Sequence, residues 1–108
     1  MPGTTTSYGN ILYAWLIQPV LTPVAVAANT TAEQSFNLGG LQTSDCVSGY
    51  LQGVQTAGIG ISNMRVLSNG ILQIGFSNST AGSLTPAVGP YLICICRPEN
   101  QILPTTAG

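Results

Sequence analysis

The amino-acid sequence predicts an all-β protein built as an antiparallel sandwich or barrel. Short apolar runs arrive roughly every ten residues, and Gly, Asn, Ser and Pro stand between them. Within several runs apolar and polar residues alternate with a period of two, which is typical of half-buried strands. No segment shows the 3.6-residue period of an amphipathic helix. These three observations favour short strands joined by turns.

The chain has 108 residues, which is the length of one domain with its own core. We expect residues 19–100 to form the sandwich and residues 101–108 to form a C-terminal tail. Residues 1–18 are an N-terminal arm or the first strand. The arm, in "TTTSYGNILYAWLIQP", would contact a partner, because its tip lacks core-like alternation and Trp15 follows it. In the alternative, residues 11–17 are the first strand and Trp15 lies in the core.

Five apolar runs predict the strands that precede the last one. Pro23 places the early part of the first of these strands at an edge or a bulge. The second run puts Ala32, Gln34, Phe36 and Leu38 on one side of its strand. The five predicted strands are residues 20–28, 32–38, 45–52, 58–67 and 71–78.

The two strands of "RVLSNGILQIGF", residues 65–76, predict a β-hairpin. A two-residue Asn-Gly turn would mix polar and apolar side chains on one face. A three-residue loop with Gly70 in the left-handed conformation separates them, because a shift of one residue turns every side chain over. This register pairs Val66 with Leu72, Met64 with Ile74, Ser62 with Phe76, and Arg65 with Gln73 on the opposite face.

The last strand, "YLICICRP", is apolar on both of its faces. Leu92, Cys94 and Cys96 share one face, and Tyr91, Ile93, Ile95 and Arg97 share the other. We expect one face to meet the core and the other to meet something else, such as a neighbouring subunit. The long connection before this strand, residues 77–90, is a crossover between sheets or a partner-contacting loop.

The composition is unusual for a soluble domain because only 5% of the residues are charged, where about a quarter is usual. A chain that omits charge lacks the usual protection against self-association, so we expect partners to cover much of its surface. Two arginines and no lysine argue against nucleic acid as a partner. Gln18, Pro19 and Pro23 interrupt the apolar stretch at residues 11–28, which argues against a membrane span.

The sequence offers no constellation that is typical of an enzyme. Glu33, Asp45 and Glu99 are isolated along the chain, and no histidine is present to activate a nucleophile. We therefore expect no catalytic activity, no cofactor and no metal. The three cysteines leave three interpretations: buried structural thiols, which we favour, one disulfide that includes Cys46, or a metal site.

Two segments carry a resemblance to a known family. They are "VAANTTAEQSFNLGGLQTSDCV" and "GIGISNMRVLSNGILQIGFSNSTAGSLTPAVGPYLICICRP", and the order of their short motifs along the chain gives the likeness its weight. In this order the chain resembles the small cement or decoration proteins on the heads of tailed bacteriophages. The resemblance covers residues 24–97. It implies a jelly-roll-like antiparallel β-sandwich of about 6–8 strands, here with an extended N-terminal arm.

The resemblance also implies a function and a place. The protein would be a virion protein on the outer surface of a capsid, assembled in the host cytoplasm, and it would tie neighbouring major capsid subunits together as a homodimer or homotrimer. The alternative is a receptor- or glycan-binding module of a tail or fibre, for which Tyr8, Tyr13, Trp15 and Tyr50 are candidate contacts. The residues that we expect to bind partners are Tyr8, Tyr13, Trp15, Ile17, Tyr91, Ile93, Ile95 and Arg97.

Overall fold

Seven β-strands make up the regular structure of the chain in a computed structural model that describes residues 10–99, 103, 105 and 106. All pairings between the strands are antiparallel, and the described residues contain no helix. The strands are β1 (Ile11–Ile17), β2 (Val20–Leu21), β3 (Thr30–Asn37), β4 (Cys46–Leu51), β5 (Ile59–Ser68), β6 (Ile71–Asn78) and β7 (Gly89–Pro98). The predicted all-β class is confirmed.

The first sheet is arranged around β7. β1 pairs with one side of β7 and β4 pairs with the other side. After a break at Gln18 and Pro19, β2 continues along β7 in the register that β1 began. The break keeps one of its hydrogen bonds, because the Tyr91 amide donates to the Pro19 carbonyl at 2.9 Å. β1 and β2 are therefore one interrupted edge strand.

The second sheet places β6 between β3 and β5. The predicted hairpin register is confirmed for Val66 with Leu72, Met64 with Ile74 and Arg65 with Gln73, and Gly70 has a φ of +81°. The prediction that Ser62 pairs with Phe76 is wrong. A bulge inserts one residue into β5 there, so that Ile61 faces Phe76 and the Ser62 hydroxyl donates to the Gly75 carbonyl.

The path of the chain makes the sandwich jelly-roll-like. β1 and β2 lie in the first sheet, β3 in the second, β4 in the first, and β5 in the second. The last two strands then fill the middle of each sheet, β6 in the second and β7 in the first. The long connection between them is a crossover, held in part by a bridge between Val26 and Leu84.

The core lies between the inner faces of the two sheets. Phe76 of the second sheet meets Tyr91 of the first edge to face, with ring centroids 6.5 Å apart. The hydrophobic side chains with no exposed surface come from the two central strands: Leu72, Ile74, Phe76, Tyr91, Ile93 and Ile95. Each central strand thus supplies three of these residues, and burial of this area is the main stabilising contribution to the fold.

Two predictions about the N-terminal third need correction. Residues 20–28 do not form one strand, because pairing stops after Leu21 and resumes only at the single bridge of Val26. Pro23 contributes no amide donor to a ladder, and the Val24 backbone in the gap is hydrogen-bonded to the Gln34 side chain instead. Of the two possibilities for residues 1–18, the structure has the first strand at Ile11–Ile17, with Trp15 and Ile17 packed against the core. Residues 1–9, with Tyr8, lie outside the described residues.

Candidate functional site

A buried ion pair lies on the inner side of the first sheet, near the end of β7 and the start of β4. Arg97 donates to both carboxylate oxygens of Asp45, from Nε at 2.8 Å and from Nη2 at 2.9 Å, and Nη2 also donates to the Gly40 carbonyl. The Asp45 side chain has no exposed surface, and the Gln42 amide donates to its Oδ2. The hydrogen bonds from Arg97 hold the pKa of Asp45 below its ordinary value, although burial acts in the opposite direction. The pair therefore fastens β4 to β7.

An aromatic pair extends this cluster toward solvent. The Tyr13 and Trp15 rings meet edge to face at 6.1 Å, and the Arg97 guanidinium carbon lies 5.0 Å from the centroid of the Trp15 ring. With Ala14 these side chains line a shallow pocket at the edge of the sheet. Trp15 is half-buried, while 56% of Tyr13 is exposed.

The outer face of the first sheet is apolar and exposed. Since alternate residues of a strand share a face, Leu16, Cys94 and Tyr50 all project away from the core. Leu16 is 62% exposed and Tyr50 is 57% exposed. Ala14, Leu92, Cys96, Cys46 and Ser48 share this face with them. We call this set of eight residues the apolar face.

The charged side chains lie elsewhere. Asp45 and Arg97 are turned to the inner side of the first sheet, and Glu99 follows the end of β7. Glu33 and Arg65 form an ion pair of 2.9 Å on the outer face of the second sheet. The guanidinium there lowers the pKa of Glu33 through its hydrogen bonds. Among the described residues, the apolar face therefore carries no charged side chain.

The outer face of the second sheet is polar and internally bonded. Arg65 Nη2 donates to Gln73 Oε1, and Gln73 Nε2 donates to the Ser35 hydroxyl. Further along the same face, the hydroxyls of Thr31 and Ser77 are hydrogen-bonded at 2.9 Å. These side chains satisfy one another and remain partly hydrated, as expected of a surface that faces water. The outer face of the first sheet is thus apolar, whereas that of the second sheet is polar.

The predicted partner-binding residues divide into four groups. Tyr91, Ile93 and Ile95 are completely buried in the core, so the prediction that they contact a partner is wrong. Trp15, Ile17 and Arg97 are partly buried, and Trp15 and Arg97 present part of their remaining surface to the shallow pocket beside Tyr13. Tyr13 is exposed, and Tyr8 lies outside the described residues.

The outer residues of β7 were missed because both of its faces are apolar. The prediction took the face that carries Arg97 as the partner-binding one, but Asp45 neutralises the charge of Arg97 inside the fold. Burial preference gave no signal either, because Leu and Cys on one face and Ile on the other are all residue types that are often fully buried.

The three cysteines are free thiols on the apolar face. Cys46 and Cys94 are exposed and Cys96 is half-buried, so the favoured interpretation of buried structural thiols is wrong for the first two. Burial and the neighbouring thiols of Cys94 and Cys46 raise the pKa of Cys96. The part of the chain that the structure describes contains no group of three or more potential ligands placed to hold a metal ion.

Comparisons with protein-family models, with curated proteins and with solved structures found no match to this chain. Over residues 10–99, 103, 105 and 106, none of the structure is a helix that could cross a bilayer.

Proposed function

We propose that the protein is a structural virion protein that binds the outer surface of a phage capsid and ties neighbouring major capsid subunits together. The observation that carries the proposal is the apolar face, where Leu16, Tyr50 and Cys94 are exposed without a charge beside them. Monomeric proteins rarely expose contiguous apolar patches larger than a few hundred Å², and patches of that size are typical of protein–protein contacts. The resemblance to capsid decoration proteins gives the partner its identity.

The other outer face supports this orientation. The hydrogen-bonded network of Arg65, Gln73 and Ser35 suits a surface that remains in solvent after attachment. A tie between shell subunits needs more than one binding face. A chain with one apolar face obtains a second by forming a homodimer or homotrimer, so we propose self-association as part of the function. The site of action is the capsid surface, after assembly in the host cytoplasm.

The test places a single charge on each outer face. Leu16→Glu puts a carboxylate on the apolar face, and Leu67→Glu puts one on β5 of the second sheet, where the leucine is 45% exposed. A charge that is buried without a partner costs several kcal/mol, so we expect Leu16→Glu to weaken attachment to undecorated capsids by more than about 100-fold. Leu67→Glu should bind like the wild type.

Both variants should keep a cooperative thermal unfolding transition, since both leucines are exposed. Binding is measured by co-sedimentation with capsids, and the oligomeric state by light scattering. Normal attachment of Leu16→Glu, or a loss confined to Leu67→Glu, would contradict the proposed orientation. If the wild type does not bind capsids at all, the proposed function itself is wrong.

A second candidate function rests on the pocket formed by Tyr13, Trp15 and Arg97. Apolar pockets that present aromatic rings with a few polar groups are typical of small-ligand sites. This observation favours a receptor- or glycan-binding module of a tail or fibre. A glycan array with wild type and Tyr13→Ala tests it, because Tyr13 is exposed and its truncation leaves the core intact. Binding that disappears in Tyr13→Ala would favour this candidate over the capsid.

A further inference from the structure

Two of the three thiols on the apolar face stand directly opposite each other. Cys46 is the first residue of β4, and its register partner in β7 is Cys96. Both side chains project to the same side of the sheet. They also line an open groove, together with Ile11, Ser44 and Leu103, so a small reagent can reach the pair.

The backbone separation of this pair suits a disulfide. Further along the same ladder the Gln52 amide donates to the Pro90 carbonyl, and Cys46 with Cys96 is an even number of residues away in the same register. The pair is therefore of the hydrogen-bonded type, with Cα atoms about 5.5 Å apart. Disulfides join Cα atoms that are about 4.4–6.8 Å apart.

The Cβ atoms must approach each other for the bond to close. Opposite Cβ atoms in a sheet are about 4.5–5.5 Å apart, with hydrogen-bonded pairs such as this one at the longer end, whereas a disulfide needs about 3.5–4.5 Å. Cys46 can supply this movement because β4 and its ladder begin at that residue. The bond that results is exposed and somewhat strained, which makes it easy to reduce.

Cys94 also neighbours the Cys96 thiol, with which it makes a side-chain hydrogen bond, but its backbone position is at or beyond the limit for a disulfide with either thiol. It lies two residues from Cys96 on the same strand, about 6.5–7 Å away along the strand axis. It is diagonal to Cys46, at about 7–8 Å. The residues directly opposite Cys94 are Ser48 and Leu16.

We propose that Cys46 and Cys96 form a redox modification site, which closes a reversible cross-strand disulfide on reaction with a small-molecule disulfide such as oxidised glutathione. The Cys46 thiolate attacks one sulfur of oxidised glutathione, forms a mixed disulfide and releases one glutathione. The Cys96 thiolate then attacks the Cys46 sulfur, forms the Cys46–Cys96 bond and releases the second glutathione. The protein loses two electrons and two protons, and both glutathione molecules leave as thiols.

The order of the two attacks follows from exposure. Cys46 is exposed, whereas Cys96 is half-buried and its thiol has a raised pKa. Since the thiolate is the nucleophile, we expect Cys96 to react more slowly than Cys46 with an external reagent. Cys96 stands directly opposite Cys46, so it is placed to attack the mixed disulfide that forms there. The product closes a loop of about 50 residues that contains the β5–β6 hairpin.

The test uses the full chain, reduced and then incubated at low protein concentration with oxidised glutathione. Intact mass and non-reducing peptide mapping follow the products. We expect the wild type and Cys94→Ser to lose two hydrogen atoms as monomers, with Cys46 and Cys96 in one cross-linked peptide. Cys46→Ser and Cys96→Ser should carry only glutathione adducts. A mild thiol should restore the reduced mass.

Three results would overturn the proposal: glutathione adducts on Cys94→Ser without loss of two hydrogens, an intramolecular bond that includes Cys94, or a disulfide-linked dimer in place of the monomer. None of these outcomes depends on attachment to capsids, so the test of the disulfide is independent of the test of the proposed function.

Discussion

The Asp45 carboxylate is completely covered, and it relies on Arg97 and the Gln42 amide for its compensation. Removal of one partner from a buried, hydrogen-bonded pair leaves the other charge without compensation, which is strongly destabilising. The Glu33–Arg65 pair is different, because both side chains are substantially exposed and solvent screens their attraction. The Asp45–Arg97 pair should therefore contribute more to the free energy of unfolding than the Glu33–Arg65 pair.

The lowered pKa of Asp45 predicts how stability depends on pH. The folded state holds the carboxylate ionised below the ordinary value of about 3.9, so its contribution is present above that value and is lost as the pH falls through the lower folded pKa. We expect Asp45→Asn to reduce the free energy of unfolding at neutral pH. The difference from the wild type should narrow as the pH falls below about 4.

Denaturant unfolding at a series of pH values measures this difference. Glu33→Gln is the control, and its smaller effect should also diminish with added salt. A difference between wild type and Asp45→Asn that is constant down to the acid limit would show that the ionised carboxylate does not contribute in this way.

Phe76 is the second residue whose contribution to the free energy of unfolding can be measured by a single substitution. It has no exposed surface and meets Tyr91 across the core. We expect Phe76→Ala to lower the free energy of unfolding by about 3–5 kcal/mol, as truncation of a buried Phe does. Gln73→Ala on the opposite face of the same strand should cost less than about 1 kcal/mol, since it loses only half-exposed hydrogen bonds. Equal losses would contradict the assignment of the two faces of β6.

Sequence patterns located most residues of the core and few residues of the candidate site. Alternation in β6 assigned Leu72, Ile74 and Phe76 to the interior, because polar Gln73 marks the other side. In β7 both faces are apolar, so alternation alone could not choose between them. The buried partner of Arg97 is 52 residues away along the chain, and no local pattern shows it.

Gly49 determines how closely β4 can approach β7. A β-carbon at this position would overlap the backbone carbonyl oxygen of Leu92 and crowd Ile93. A β-carbon on Gly60 of β5, by contrast, meets no atom within 4 Å. Within a strand, a methyl group therefore has no room at Gly49 and ample room at Gly60.

These contacts predict a matched pair of substitutions. We expect Gly49→Ala to lower the free energy of unfolding by about 1–3 kcal/mol, because the strands must separate to admit the methyl group. Gly60→Ala should be neutral or should stabilise by up to about 1 kcal/mol, since glycine weakens a strand interior. Thermal unfolding of the two variants beside the wild type measures both effects. A loss in Gly60→Ala as large as that in Gly49→Ala would contradict the argument from close approach.

Among the elements, the β5–β6 hairpin was the most predictable and β2 the least. Hairpin register depends on a local turn and on hydrophobic pairing, and both are visible in the sequence around Gly70. The bulge at Ser62 has no such local signal. β2 ends at Leu21 because its partner there, Gly89, is the first residue of β7, and that limit is a property of the assembled sheet.

The whole molecule distributes its few charges unevenly. Two are paired on the inner side of the first sheet and two are paired on the outer face of the second sheet. The apolar face therefore contributes no charged side chain to the electrostatic potential at its surface. The low charge content of the sequence predicted a covered surface. It could not show which surface, because that depends on the way the two sheets pack.

This distribution predicts that attachment to capsids is nearly independent of salt. Screening weakens interactions between charges and leaves apolar contacts largely unchanged. On the proposed function, occupancy of undecorated capsids should therefore change less than about twofold between roughly 0.05 M and 1 M sodium chloride. Leu16→Glu should stay unbound over the same range, because salt does not remove the cost of burying its charge. A steep loss of wild-type occupancy would mean that Arg65 or Glu33 contacts the capsid, and Arg65→Gln would then identify the second sheet as the bound face.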